Sequence, residues 1–256
     1  MPLTQRNLYR ALIATGFEWC YDIGWEVDAD GVLRLYAVEP CSVQTERVEI
    51  TDGNIDLLVG ALLAAREATR NPYPSWMVDI FALHASGLPL DESFMKYVDA
   101  EQEHLFRGPA PAPVPDDGVT DETDMDFIER VLRATSGNAG GMFYRGGEDD
   151  PKLTIYGDCS DFFAWGGADA EEITPENVEL LESTIAEARA ATGDSFDLSL
   201  AICLFIARLR GLRPQGAQYE RFAHEDWWIV EFDAAGPPRS TGMGNPRPSI
   251  PPAGQP

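Results

Sequence analysis

The sequence predicts an α+β fold built by tandem duplication of an α-β-β-α-α unit, giving two lobes that a pseudo-twofold axis would relate. Three observations carry this. EITDGNIDLL (49–58) and EITPENVELL (172–181) share six of ten residues. Flanking segments match in the same order: LYRALIAT (8–15) with IERVLRAT (128–135), DGVLRLY (30–36) with DPKLTIY (150–156), and ALHASGLPL (82–90) with ARLRGLRPQ (207–215). Collinear self-similarity marks a repeated structural unit. The hydrophobic pattern also changes from helical to extended and back in the same order in both copies.

The first copy, residues 1–106, opens with an amphipathic helix, after which FEWCYDIGWEV and VLRLYAV flank the turn residues DADG and read as a β-hairpin. Thr51 is the expected N-cap of a second helix. SWMVDIFALHA is apolar nearly all round, which predicts a buried helix. Gly87 stops it, since glycine readily takes the left-handed conformation after a helix, and Pro89 follows soon after.

Residues 107–124, RGPAPAPVPDDGVTDETD, alternate Pro and Ala before a run of acids and read as an exposed linker. The second copy, 125–235, repeats the pattern: a helix, then GGMFYRG and KLTIYG around GEDD as a hairpin. Thr174 is the matching N-cap, with Pro175 at the first helical position, where its missing N–H is not needed. Val178, Leu181, Ile185 and Ala188 form one apolar helix face, and LSLAICLFIARL is the second buried helix, stopped at Gly211. Residues 236–256 are rich in Pro and Gly with few core-forming side chains, so part of this tail is expected to be disordered or laid over the surface.

A formal net charge of −24 predicts solubility and repulsion from nucleic acid and anionic membranes. Direct nucleic-acid binding is therefore not expected. The longest apolar run, Leu198–Ala207, is too short for the roughly 20 residues of a membrane span. The N-terminus lacks the apolar stretch of a signal peptide. Cys20, Cys41, Cys159 and Cys203 form no CxxC pair, so reduced thiols in a cytoplasmic setting are the expectation, with Cys41 and Cys159 partly buried in equivalent turns.

Motifs for chemistry are scarce. Glu101 and His104 have the Glu-x-x-His spacing of carboxylate-bridged metal sites, but the segment abuts the Pro-rich linker and reads as a solvated helix end. The glycines of SGNAGGMFYRGG form neither a GxGxxG nor a phosphate loop, and no GxSxG or HExxH occurs. No cofactor, metal or catalytic residue is expected, and the balance leans against an enzyme.

Comparison of the two copies exposes two departures, both in the second. The loop 160–171 has grown, and RLRGLRPQG carries Arg208, Arg210 and Arg213 where the first copy has LHASGLPLD. The enlarged loop offers Asp158, Asp161, Asp169, Glu171 and Glu172 with Trp165 as an aromatic anchor. Two outcomes follow if the segments meet. Arginine–carboxylate pairing ties them into an internal clamp; alternatively Asp158, Asp161, Trp165, Asp169, Arg210, Arg213, Gln215 and Tyr219 form a patch for a partner or ligand.

The strings YGDCSDFFAWGGADAEEIT, RGLRPQGAQY and FDAAGPPRSTGMGNP, from Gly140 to Pro246, resemble an uncharacterised family of phage and bacterial proteins. In that family a cysteine often stands where Gly167 stands here. The resemblance implies importance for these segments and an origin in a mobile element, and it implies no reaction. The leading expectation is thus an acidic, non-enzymatic, cytoplasmic interaction protein that binds a host or defence protein. The alternatives are an enzyme or small-ligand binder with an anion-recognising site between 158–172 and 208–219, and an oligomeric structural component.

Overall fold

The computed structural model describes residues 3–16, 23–38, 40–45, 47–69, 75–100, 102–115, 122–136, 142–145, 153–158, 170–193, 196–214 and 232–234. The fold is α+β. Its first half runs α1 (Gln5–Thr15), β1 (Ile23–Val27), β2 (Leu33–Val38), β3 (Arg47–Ile50), α2 (Ile55–Thr69) and α3 (Ser75–Ser86). A short helical turn at Met95–Tyr97 and α4 (Glu103–Arg107) follow. The second half runs α5 (Glu122–Ala134), β4 (Met142–Arg145), β5 (Thr154–Asp158), β6 (Ala170–Ile173), α6 (Val178–Thr192) and α7 (Leu198–Leu209), then β7 (Leu212–Pro214) and β8 (Phe232–Ala234).

Each half holds a third strand that the sequence pattern did not predict, so the order is α-β-β-β-α-α. β3 pairs antiparallel with β2, setting Leu35 opposite Ile50 and Tyr36 opposite Glu49. β6 pairs with β5 in the corresponding register, Ile155 opposite Ile173 and Tyr156 opposite Glu172. Both are four-residue edge strands in which only the last residue, Ile50 or Ile173, is buried. Too little alternation is present to reveal a strand. Glu171, Glu172 and residue 170 accordingly lie in β6, and the loop expected over 160–171 ends at 169.

The expected N-caps also move. α2 and α6 begin at Ile55 and Val178, and Pro175 lies in the turn ahead of α6. The residue that organises each turn is asparagine. Asn54 Oδ1 accepts from the Thr51 N–H at 2.7 Å, and its Nδ2 donates to the Glu49 carbonyl at 3.0 Å. Asn177 does the same with Thr174 and Glu172, both at 2.9 Å. A side-chain amide both donates and accepts, so it fastens the end of a strand to the start of a helix.

α7 is buried throughout Leu198–Ala207, and α3 is buried from Met77 to Leu83. Both end at glycines in the left-handed conformation, Gly87 at φ 62° and Gly211 at φ 71°. The inward face of the first sheet carries Ile23, Trp25, Leu33, Leu35, Ala37 and Ile50. Its outer face is polar: Arg34 pairs with Asp28 and Glu49, and Arg47 pairs with Glu26 while lying 4.2 Å over the Tyr36 ring. The DADG turn is a hairpin turn, with Asp28 Oδ1 accepting from the Asp30 and Val32 N–H groups.

Among the described residues the three-stranded sheets of the two halves are separate, and the halves interlock through their first helices. α1 packs on α5 and β4, while α5 packs on β1 and β2. Buried apolar residues of both halves form one cluster. Its crossing point is reciprocal. Trp25 Nε1 of the first half donates to Thr135 Oγ1 of the second at 3.1 Å, Tyr144 OH of the second lies 2.9 Å from Thr15 Oγ1 of the first, and the two rings meet edge to face.

Residues 108–115 are exposed or half-buried, as a linker should be, but they are strapped to the first half. The Val114 N–H donates to the Asp56 carbonyl at 3.2 Å, and Arg10 reaches both the Val114 carbonyl and the Asp56 carboxylate. Ala112 crosses so close to α2 that a methyl group on Gly60 would overlap its carbonyl oxygen. The end of the expected linker is helical, since α5 begins at Glu122. Cys41 is exposed, which corrects its expected partial burial, because its turn is held by the backbone: the Cys41 N–H donates to Asp79.

Candidate functional site

The expected site is built where β5, β6 and the end of α7 come together. Asp158, the last residue of β5, is the register partner of Ala170, the first of β6. This pair marks the two ends of the enlarged loop. One residue into β6 stands Glu171, whose Oε1 accepts from Arg210 Nε at 2.8 Å. Arg210 is the C-cap of α7, so a helix end and a strand start are joined by an ion pair with both side chains partly exposed. Arg208, two residues earlier, turns to α6 instead, donating to Thr184 at 3.0 Å and Glu187 at 2.7 Å.

The Arg213 backbone lies in β7 opposite Asp233 of β8. Among the described residues this small sheet has no counterpart after α3, where the chain instead runs on to α4 and builds an aromatic cluster of Trp76, Phe94 and Phe106. The Arg213 side chain, the residues Asp161, Trp165, Asp169, Gln215 and Tyr219, Cys20 and Cys159, Glu101, the GEDD turn and the tail 236–256 lie outside the described residues. Of the eight expected site residues, the structure therefore places Asp158 and Arg210 with their side chains, on neighbouring elements. Among the described residues no cluster of His, Cys, Asp or Glu has metal-binding geometry. No helix among them is long and apolar enough to cross a membrane.

A second feature escaped sequence reasoning. A groove of about 670 Å³ runs between α5 and α6, lined by Asp126, Glu129, Arg130, Arg133, Glu182 and Arg189 among others. Arg130 forks onto both oxygens of Glu182 at 2.5 and 2.6 Å. Glu129 accepts from Gln5 at 2.6 Å and from Arg133 at 2.8 Å. Burial alone would raise the Glu129 carboxyl; the bonds from Gln5 and Arg133 outweigh it and hold the group below the usual carboxylate range. Arg189 donates to the carbonyls of Ala134 and Ser136 and lies over the Phe196 ring.

The signal for this groove is present in the sequence when the matching segments of the two halves are aligned. With α2 and α6 in register, Val59 and Leu63 stand opposite Glu182 and Ala186; with Thr15 opposite Thr135, Tyr9 and Ile13 stand opposite Glu129 and Arg133. Tyr9, Ile13 and Val59 thus stand where the second half carries Glu129, Arg133 and Glu182. The arrangement provides paired charges around a cleft. Comparisons with known protein families, curated proteins and solved structures gave no match.

Proposed function

We propose that this protein is an acidic, non-enzymatic interaction protein that binds a basic surface of a partner protein, and that its body arose by duplication of an α-β-β-β-α-α unit. The single observation that carries the binding reading is the charge balance: −24 overall, with Arg208 and Arg210 of the one arginine-rich segment already engaged with Glu187 and Glu171. What remains to meet a partner is an excess of carboxylates, and opposite charge then speeds encounter and fixes orientation. A phage-borne or bacterial protein directed at a host or defence protein fits this field, in a cytoplasmic setting. The duplication is supported by the matched asparagine turns, the matched strand registers and the reciprocal Trp25–Thr135 and Tyr144–Thr15 contacts.

Affinity purification from the native host at low and at moderate salt tests the reading. A basic protein retained at low salt and lost at moderate salt is expected, because exposed charge pairs are screened. Retention that ignores salt, or an acidic partner, refutes it. One observation favours a second reading, an anion-recognising site between 158–172 and 208–219: the Arg210–Glu171 pair brings these segments into contact. Here Arg213→Ala would abolish binding of a small anionic ligand while leaving the unfolding midpoint of the protein unchanged, and no salt-dependent protein partner would be recovered.

A further inference from the structure

Residues 108–115, GPAPAPVP, form the strap that crosses α2, and their order dictates its conformation. Pro109, Pro111, Pro113 and Pro115 each fix their own φ near about −65°. Gly108, Ala110, Ala112 and Val114 each precede a proline, which closes the α region to them. The conformation common to all eight is polyproline II, with three residues per turn and no internal hydrogen bonds. Gly108, at φ −81° and ψ −178°, is extended accordingly. Burial follows the same period of three: Gly108, Pro111 and Val114 are half-buried, while Pro109, Ala110, Ala112, Pro113 and Pro115 are exposed. One column of this helix lies on the body, and the other two face outward.

The body holds the strap at three points. Gly108 follows the buried Phe106 and passes so close to the His104 carbonyl that a methyl group on it would overlap that oxygen. The Ala112 carbonyl lies against Gly60. Val114 is tied at both backbone groups, its N–H donating to the Asp56 carbonyl and its own carbonyl accepting from Arg10. These ties use backbone and the inward column, and they leave the outward proline rings exposed. Ala112–Pro113 is an x-Pro pair with both residues exposed, standing between the exposed Pro109 and Pro115. Aromatic-lined grooves recognise proline-rich chains in this conformation because the helix is already formed and little entropy is lost on docking. Fixing the strap on the body lowers that loss further.

We propose that the outward columns of residues 109–115, centred on the Ala112–Pro113 pair, are a docking ligand for a partner domain that reads a polyproline II helix in an aromatic-lined groove. The contact is apolar and goes beyond the charge-driven binding proposed above.

The test titrates the full chain, unlabelled, into purified SH3, WW and EVH1 domains carrying a nitrogen-15 label, with amide shifts of the domain as the readout. At least one of these probes is expected to show shifts confined to its aromatic groove. Its affinity should fall roughly tenfold for Pro109→Ala/Pro113→Ala/Pro115→Ala, and less than about threefold for Pro111→Ala, which lies in the half-buried column. Ala112→Asp, which sets a charge on the outward face and leaves every proline in place, should match the triple variant; this covers the case in which the triple variant loosens the strap. The absence of groove shifts from all three probes overturns the proposal, as does a loss for Pro111→Ala equal to that of the triple variant. The probes stand in for any host protein, so failure here leaves the salt test of the basic-partner reading untouched.

Discussion

Trp25 and Thr135 belong to opposite halves of the molecule, and the Trp25 indole N–H donates to the Thr135 hydroxyl at 3.1 Å with both side chains buried. Thr135 Oγ1 in turn donates to the Val131 carbonyl at 2.9 Å, so one hydroxyl closes a helix end and receives the other half's aromatic. Thr135→Val keeps the shape and strands the indole donor. A loss of about 1–3 kcal/mol is expected, read by urea unfolding. Adding Trp25→Phe removes the stranded donor, so the double variant should lose less than the two single losses added together; strict additivity would show that the bond contributes nothing.

Gly60→Ala exchanges a poor helix former for the best one, which in an uncovered helix would stabilise by about 1 kcal/mol. Here the new methyl meets the Ala112 carbonyl oxygen. The expected outcome is release of the strap: faster hydrogen exchange at the Val114 amide and protease cleavage within 108–115. An unchanged exchange rate at Val114 would contradict the packing described.

Phe106 is 3% exposed and stacks edge-on against Trp76 and Phe94. Phe106→Ala should cost about 3–5 kcal/mol by the cavity it leaves, lowering the unfolding midpoint. Arg107→Ala next door removes exposed pairs to Glu92 and Glu103, each worth under about 1 kcal/mol. A reversed order of the two losses would contradict this.

Acid should unfold the protein through a definable set of carboxylates. Asp28 is held below its ordinary value by the Val32 N–H and then Arg34; Glu26 by Arg47 and then Tyr36; Glu92 by Arg107. Because folded pKa values lie below unfolded ones, their contribution is full above the unfolded values, near pH 4, and is lost as pH falls through the folded values. Unfolding midpoints should therefore decline below about pH 4. Arg34→Met, which removes the partner of Asp28 and Glu49, should flatten that decline, as measured by thermal melts across the acid range.

The order of helices and hairpins was legible because each is written in a hydrophobic period, and the same order of periods recurs in the two halves. β3 and β6 were not, since one buried isoleucine in four residues leaves an edge strand with no alternation. The turn ahead of α2 and α6 misled through its threonine, a good cap by composition, although the asparagine three residues later is also shared by both halves and is the residue that bonds. The Arg210–Glu171 contact was foreseen as one of two outcomes for charged segments flanking a helix and a strand. The α5–α6 groove needed the packing of two helices distant in sequence, and its mark in the sequence was Glu129, Arg133 and Glu182 standing opposite Tyr9, Ile13 and Val59.

Fastening the strap at Val114 also sets the length of the leash between the halves. From that anchor only seven residues, 115–121, lead to the first turn of α5. Seven residues span at most about 25 Å even when fully extended, which keeps each α5 close beside its own β1 and β2. Exchange of halves between two molecules, the usual hazard when interlocked halves are joined by a long hinge, is thereby outcompeted by closure within one.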